Sequence, residues 1–201
     1  MRLLAPAAAL LALPPGTALA HSSLEGIGAF PNGLLHPVLD PAHILCFVAC
    51  GLLAAHQPAS AMPRLFLAAI LSLAAGLILA TFDIPAWDTR IGVGIWTGTL
   101  AMGALIAATA ARPYPGVAAL IGFTCLAVGL DTRLENAAIV ERLVFAFGTW
   151  MGAALIVVNL ALACRRAAQF PLAQVGIRIL GSWVAAAAAM MLAFSLKTSG
   201  V

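Results

Sequence analysis

Charge is what this chain has least of. Only 8% of its 201 residues are charged and 63% are hydrophobic, giving a mean hydropathy of +1.07. A soluble domain carries about a quarter charged residues, and so few charges cannot cover a globule in water. The composition therefore excludes a soluble protein and points to an integral membrane protein in contact with a lipid bilayer. Ten Lys/Arg against seven Asp/Glu leave a net charge of +3, which does not describe a nucleic-acid binder. No histidine follows His56, which argues against a haem held between two facing helices. A Ser–His or H-E-x-x-H arrangement is missing, as is any nucleotide-binding motif. The chain is thus read as no enzyme, without ATP coupling of its own and without a permanently bound cofactor. The four cysteines show no Cys-x-x-Cys spacing, so no zinc or dithiol site of that kind is expected. Strand alternation of the barrel type is also lacking, which leaves an all-α bundle.

What the chain has is a leader-like start and six apolar stretches. Residues 1–20 place Arg2 before an apolar run, then Pro14-Pro15-Gly16 and a terminal Ala18-Leu19-Ala20. That is the layout of a cleavable secretory signal, with an apolar run too short to span a bilayer. The single membrane domain, 21–201, then holds segments near 34–57, 64–82, 91–111, 115–131, 138–164 and 172–195, each near the length that crosses about 30 Å of hydrocarbon. A signal of this type predicts a multi-pass protein of the bacterial inner membrane with its mature N-terminus in the periplasm. In that topology all seven carboxylates fall on the outer side, while Arg64, Arg112, Arg165 and Arg166 lie at the inner ends. Gly94-x-x-x-Gly98 reads as helix packing. Arg178, six residues into the last segment, reads as a side chain that snorkels to the inner surface.

The chemistry gathers at residues 35–56, LHPVLDPAHILCFVACGLLAAH. His36, Asp40 and His43 are spaced i, i+4, i+7, one face of a continuous helix. Two imidazoles and a carboxylate suit a borderline divalent metal such as nickel, cobalt or zinc, and ionisable groups at a membrane span point to binding or conduction. Pro37 and Pro41 support a second geometry. Asp40-Pro41 reads as an N-cap with a first-turn proline, so that the membrane helix begins there after a separate short or re-entrant piece. Either geometry brings the three side chains near one another. The plainer alternative has His36 and Asp40 as caps and His43 as an interfacial histidine.

Residues 129–136, GLDTRLEN, form a second group. Asp131 and Glu135 would join the first group if the first and fourth segments are neighbours; otherwise they belong to a solvated loop with local pairing to Arg133. Cys46 and Cys50 follow His43 on nearly the same face, where they could relay a soft metal or simply pack as small apolar residues. Cys125 and Cys164 are expected to pack in that plain way.

Residues 33–55, GLLHPVLDPAHILCFVACGLLAA, resemble the opening of the HupE/UreJ family of membrane proteins. That family opens its first helix with His-Pro-x-x-Gly-x-Asp-His. His36, Pro37 and His43 match, while Asp40 stands at the Gly position and Ala42 at the Asp position. A second family pattern, His-Gly-x-x-His-Gly-x-Glu, is met at 128–135 only by Gly129 and Glu135; Val128 and Thr132 replace the histidines, with Asp131 as a partial substitute. The resemblance implies a permease for nickel, or cobalt, entering from the periplasm. His36, Asp40 and His43 would form its entry site, and Asp131 and Glu135 would add ligands. The alternative it leaves is a non-transporting accessory protein for urease or hydrogenase maturation, with a maturation partner or a second copy of itself.

Overall fold

The computed structural model describes residues 26–82, 88–108, 114–134 and 137–198. Among the described residues every regular element is a helix: α1 Ala29–Leu39, α2 Pro41–Ala55, α3 Met62–Ala80, α4 Asp88–Ala107, α5 Tyr114–Asp131, α6 Ile139–Ala167 and α7 Pro171–Thr198. The signal expected over 1–20 lies outside the described residues.

Local chemistry sets the first boundary. A residue before proline is pushed out of the helical region, and Asp40 accordingly adopts an extended backbone (φ −87°, ψ 118°). Its carboxylate accepts hydrogen bonds from the backbone N–H groups of Ala42 and His43, at 2.8 and 3.1 Å. Pro41, which has no N–H to satisfy, takes the first helical position. The two helices meet at a bend of 72°. One of the two geometries drawn from the sequence is therefore realised: 34–57 is a broken span, with no single face running from His36 to His43.

Among the described residues four helices are long and apolar enough to cross a membrane, and the α1–α2 pair makes a fifth if counted as one broken span. The sixth expected segment is α5, whose apolar part, Pro115–Asp131, is shorter; at 1.5 Å per residue it reaches about 26 Å. Large apolar side chains cover the outside, including Phe123, Leu155, Leu172, Trp183, Met190 and Phe194. Such a surface is a lipid-facing one, and the chain is a multi-pass membrane protein.

α2 is the axis of the bundle. Nine of its fifteen residues are buried, and it touches every other helix, as a helix apolar on all sides must. Around it α3 packs on α5, α4 packs on α5 and α7, and α1 lies against α6. With lipid outside there is little hydrophobic drive between helices, so close backbone approach has to hold them. At the α1–α6 crossing a Cβ on Gly33 would overlap the Phe145 carbonyl, and one on Gly148 would overlap the Phe30 carbonyl. Of the expected glycine pair in α4, Gly98 is pressed against Thr124 of α5, whereas Gly94 has only ordinary contact with Phe123. Gly148→Leu should therefore push α1 off α6 and lower the thermal unfolding midpoint in detergent, by an overpacking cost of about 1–3 kcal/mol. Gly116→Ala, where a Cβ meets nothing within 4 Å, should leave the midpoint unchanged in the same measurement.

Candidate metal-handling site

The bend at Asp40 folds the end of α1 back over the start of α2. His36 and His43 meet there edge to face, with ring centroids 5.0 Å apart. On its other side His36 packs against the Phe145 ring of α6, at 5.3 Å. His36 is half-buried, while His43 is only 1% exposed. An imidazole that far from water needs a polar partner, and α5 provides one: His43 Nε2 stands 3.1 Å from Asp131 Oδ2. Asp131 keeps 27% of its side-chain surface, so the pair runs from the rim of the bundle to its interior.

Three of the five residues expected at the site are thus brought together: His36, His43 and Asp131. Asp40 is buried beside them, but its Oδ1 faces the first backbone N–H groups of α2. Its visible work is that of a helix cap. Glu135 lies outside the described residues. Among the described residues no three His, Cys, Asp or Glu side chains stand as a ready coordination set. The arrangement is an imidazole pair with one orienting carboxylate.

The orientation has a chemical consequence. A neutral His43 that donates from Nε2 to Asp131 carries its lone pair on Nδ1. That Nδ1 is buried and makes no hydrogen bond among the described residues. Histidines that ligate metals usually donate their other ring N–H to a carboxylate in this way, which fixes the tautomer and raises the basicity of the ligating nitrogen. Asp131 is also the last residue of α5, where the negative end of the helix dipole lies. Carboxylate and dipole together make this corner favourable for a cation.

Two features were not foreseen from sequence. Cys125 of α5 meets Cys50 of α2 at 3.8 Å, and Met102 of α4 meets Cys50 at 3.7 Å, although only Cys46 and Cys50 share a helix face in the sequence. At the opposite end of the bundle, His56, Cys164, Gln174 and Arg178 line a cleft of about 550 Å³ between α2, α6 and α7. There His56 Nδ1 donates to the Leu52 carbonyl at 2.8 Å. Arg178 is exposed and reaches the Ala107 carbonyl at 3.4 Å, in keeping with a side chain that extends toward the bundle end.

The capping role of Asp40 separates cleanly from any ligand role. Asn caps as well as Asp, so Asp40→Asn should unfold at the wild-type temperature. Asp40→Ala should lose about 1 kcal/mol, read by thermal unfolding of the purified protein in detergent.

No curated protein and no solved structure matches the chain. The sequence pattern of one family does, over residues 8–195, a stretch that takes in the elbow, the His43–Asp131 pair and the cleft at the far end. The family is described as "HupE / UreJ protein", and with nearly its whole length matched the chain belongs to the HupE/UreJ family.

Proposed function

We propose that this protein is a permease for a divalent transition metal, nickel or cobalt, which it admits at the His36/His43/Asp131 corner from the periplasmic side. The single observation that carries the reading is His43: buried at the head of the central helix, tied to Asp131 through Nε2, with Nδ1 making no hydrogen bond among the described residues. Ionisable groups at a membrane span point to binding or conduction, and packing alone gives no reason to keep this pair. Family membership supports the metal class, since HupE/UreJ proteins are associated with nickel and cobalt for urease or hydrogenase.

In this reading the ion exchanges part of its hydration shell for the imidazoles of His36 and His43. Asp131 orients His43 and balances the ion's charge, and Glu135, four residues further along the sequence, is an added ligand or attractor. The donor set fits such an ion, because imidazole and carboxylate suit borderline divalent metals. With Asp131 held on His43 Nε2, the two imidazoles are the direct ligands, and conduction requires that the ion can leave them as well as bind. The cleft with His56 at the other end of α2 is the exit, so that the axis helix links entry to release.

The second reading is an accessory membrane protein that docks a maturation partner and transports nothing. The absence of a ready three-ligand set among the described residues and the Val128 and Thr132 positions favour it. Radiolabelled nickel uptake in cells expressing this chain alone distinguishes the two. The permease reading expects uptake above the empty-vector level, lowered at least tenfold in His43→Ala and abolished in the double variant His36→Ala/His43→Ala. Uptake unchanged in the double variant would sink it, and an inactive wild type would favour the accessory role. Asp131→Asn keeps a hydrogen-bond acceptor but removes the charge, so uptake should fall by about 10–100-fold, the usual effect of losing a ligand's orienting partner.

A further inference from the structure

Sulfur is scarce in this chain, yet it converges. The sequence has four cysteines and six methionines, and in the core one sulfur from each of two other helices meets the sulfur of Cys50. Cys50 of α2 lies 3.8 Å from Cys125 of α5 and 3.7 Å from Met102 of α4, sulfur to sulfur. Their exposures are 0%, 1% and 0%, so the point is dry. Cys46 stands one turn earlier on α2 and is buried as well. Cysteines that merely fill space as small apolar residues have no reason to face one another. The fourth, Cys164, lies apart from this group, on the cleft at the far end.

We propose that Cys50, Cys125 and Met102 form a binding site for a soft, thiophilic cation of the copper(I) or silver(I) class in the core of the bundle. The spacing fits. Two sulfurs held at about 2.3 Å from one ion stand about 3.8–4.0 Å apart, so an ion enters between them with little movement of the helices. The donors select the class as well. Thiolate and thioether ligands suit soft metals, whereas nickel and cobalt prefer the imidazole and carboxylate of the outer corner. Charge points the same way. A buried net charge is costly, and a monovalent ion that displaces one thiol proton leaves a neutral site: the metal–thiolate bond forms, the S–H bond breaks, and the proton leaves to solvent. The second thiol and the Met102 thioether then complete the shell as neutral donors. The site stands on its own geometry and does not require that nickel pass His43.

The test uses the full chain purified in detergent, under anaerobic reductant, titrated with Cu(I) buffered by a chromophoric Cu(I) chelator. One Cu(I) per chain is expected, with an X-ray absorption signature of sulfur neighbours at about 2.2–2.3 Å. Cys50→Ser and Cys125→Ser should each weaken binding by about tenfold or more, and Met102→Leu by several-fold. Cys164→Ser and the double variant His36→Ala/His43→Ala should bind as wild type does, which separates this site from the outer one. Met102→Leu conserves volume, so it keeps the test valid if a cysteine variant fails to fold. The proposal is overturned if the wild type binds no stoichiometric Cu(I), if the metal has only nitrogen or oxygen neighbours, or if Cys164→Ser weakens binding as much as Cys50→Ser. Nickel uptake measured on the same variants reads the outer site separately, and its loss or survival leaves this result unaffected.

Discussion

The backbone break at Asp40–Pro41 is the constraint on which the rest of the molecule depends. A proline that cannot donate and a preceding residue forced into an extended conformation end one helix and start another. The 72° turn between them brings His36 back over His43, which an unbroken helix would hold two turns away. Asp40 secures the new helix by taking the two N–H groups that the break exposes. α2 can then enter the centre of the bundle with most of its residues buried, and every other helix packs against it. Irregular backbone at membrane depth is tolerated where protein buries it, and here α6 does so through glycine contacts at Gly33 and Gly148.

From that elbow the polar chemistry runs down one helix. His43 begins it, held by Asp131 across from α5; the sulfur group at Cys50 lies about two turns further on; His56 closes it at the cleft. The donors change along the way from imidazole and carboxylate to sulfur and back to imidazole. α2 therefore carries an imidazole near each end and a thiol between them, donors that suit different classes of metal.

Much of this was legible in the sequence because it is local. The Asp40-Pro41 pair announces an N-cap and a first-turn proline, and the low charge announces a membrane. The His43–Asp131 contact was legible only as a condition, since the two residues are 88 positions apart and nothing in either segment states that α2 and α5 touch. The roles of the carboxylates were the least legible. Spacing favours Asp40 as a ligand, whereas its backbone setting uses Asp40 as a cap and leaves Asp131 to face the imidazole. The sulfur group was half visible: Cys46 and Cys50 share a face at i, i+4, but Cys125 and Met102 come from helices whose neighbours only tertiary packing decides. The glycines tell the same story, for Gly98 meets its partner closely and Gly94 does not.

The proposed permease takes up nickel at His43, oriented by Asp131. The most direct measurement is nickel entry into liposomes reconstituted with the purified chain, comparing Asp131→Asn and Asp40→Asn with the wild type. Nickel should enter wild-type liposomes and should enter nearly as fast with Asp40→Asn, which keeps the cap, but at least several-fold more slowly with Asp131→Asn. Entry that survives Asp131→Asn intact and fails with Asp40→Asn would contradict it.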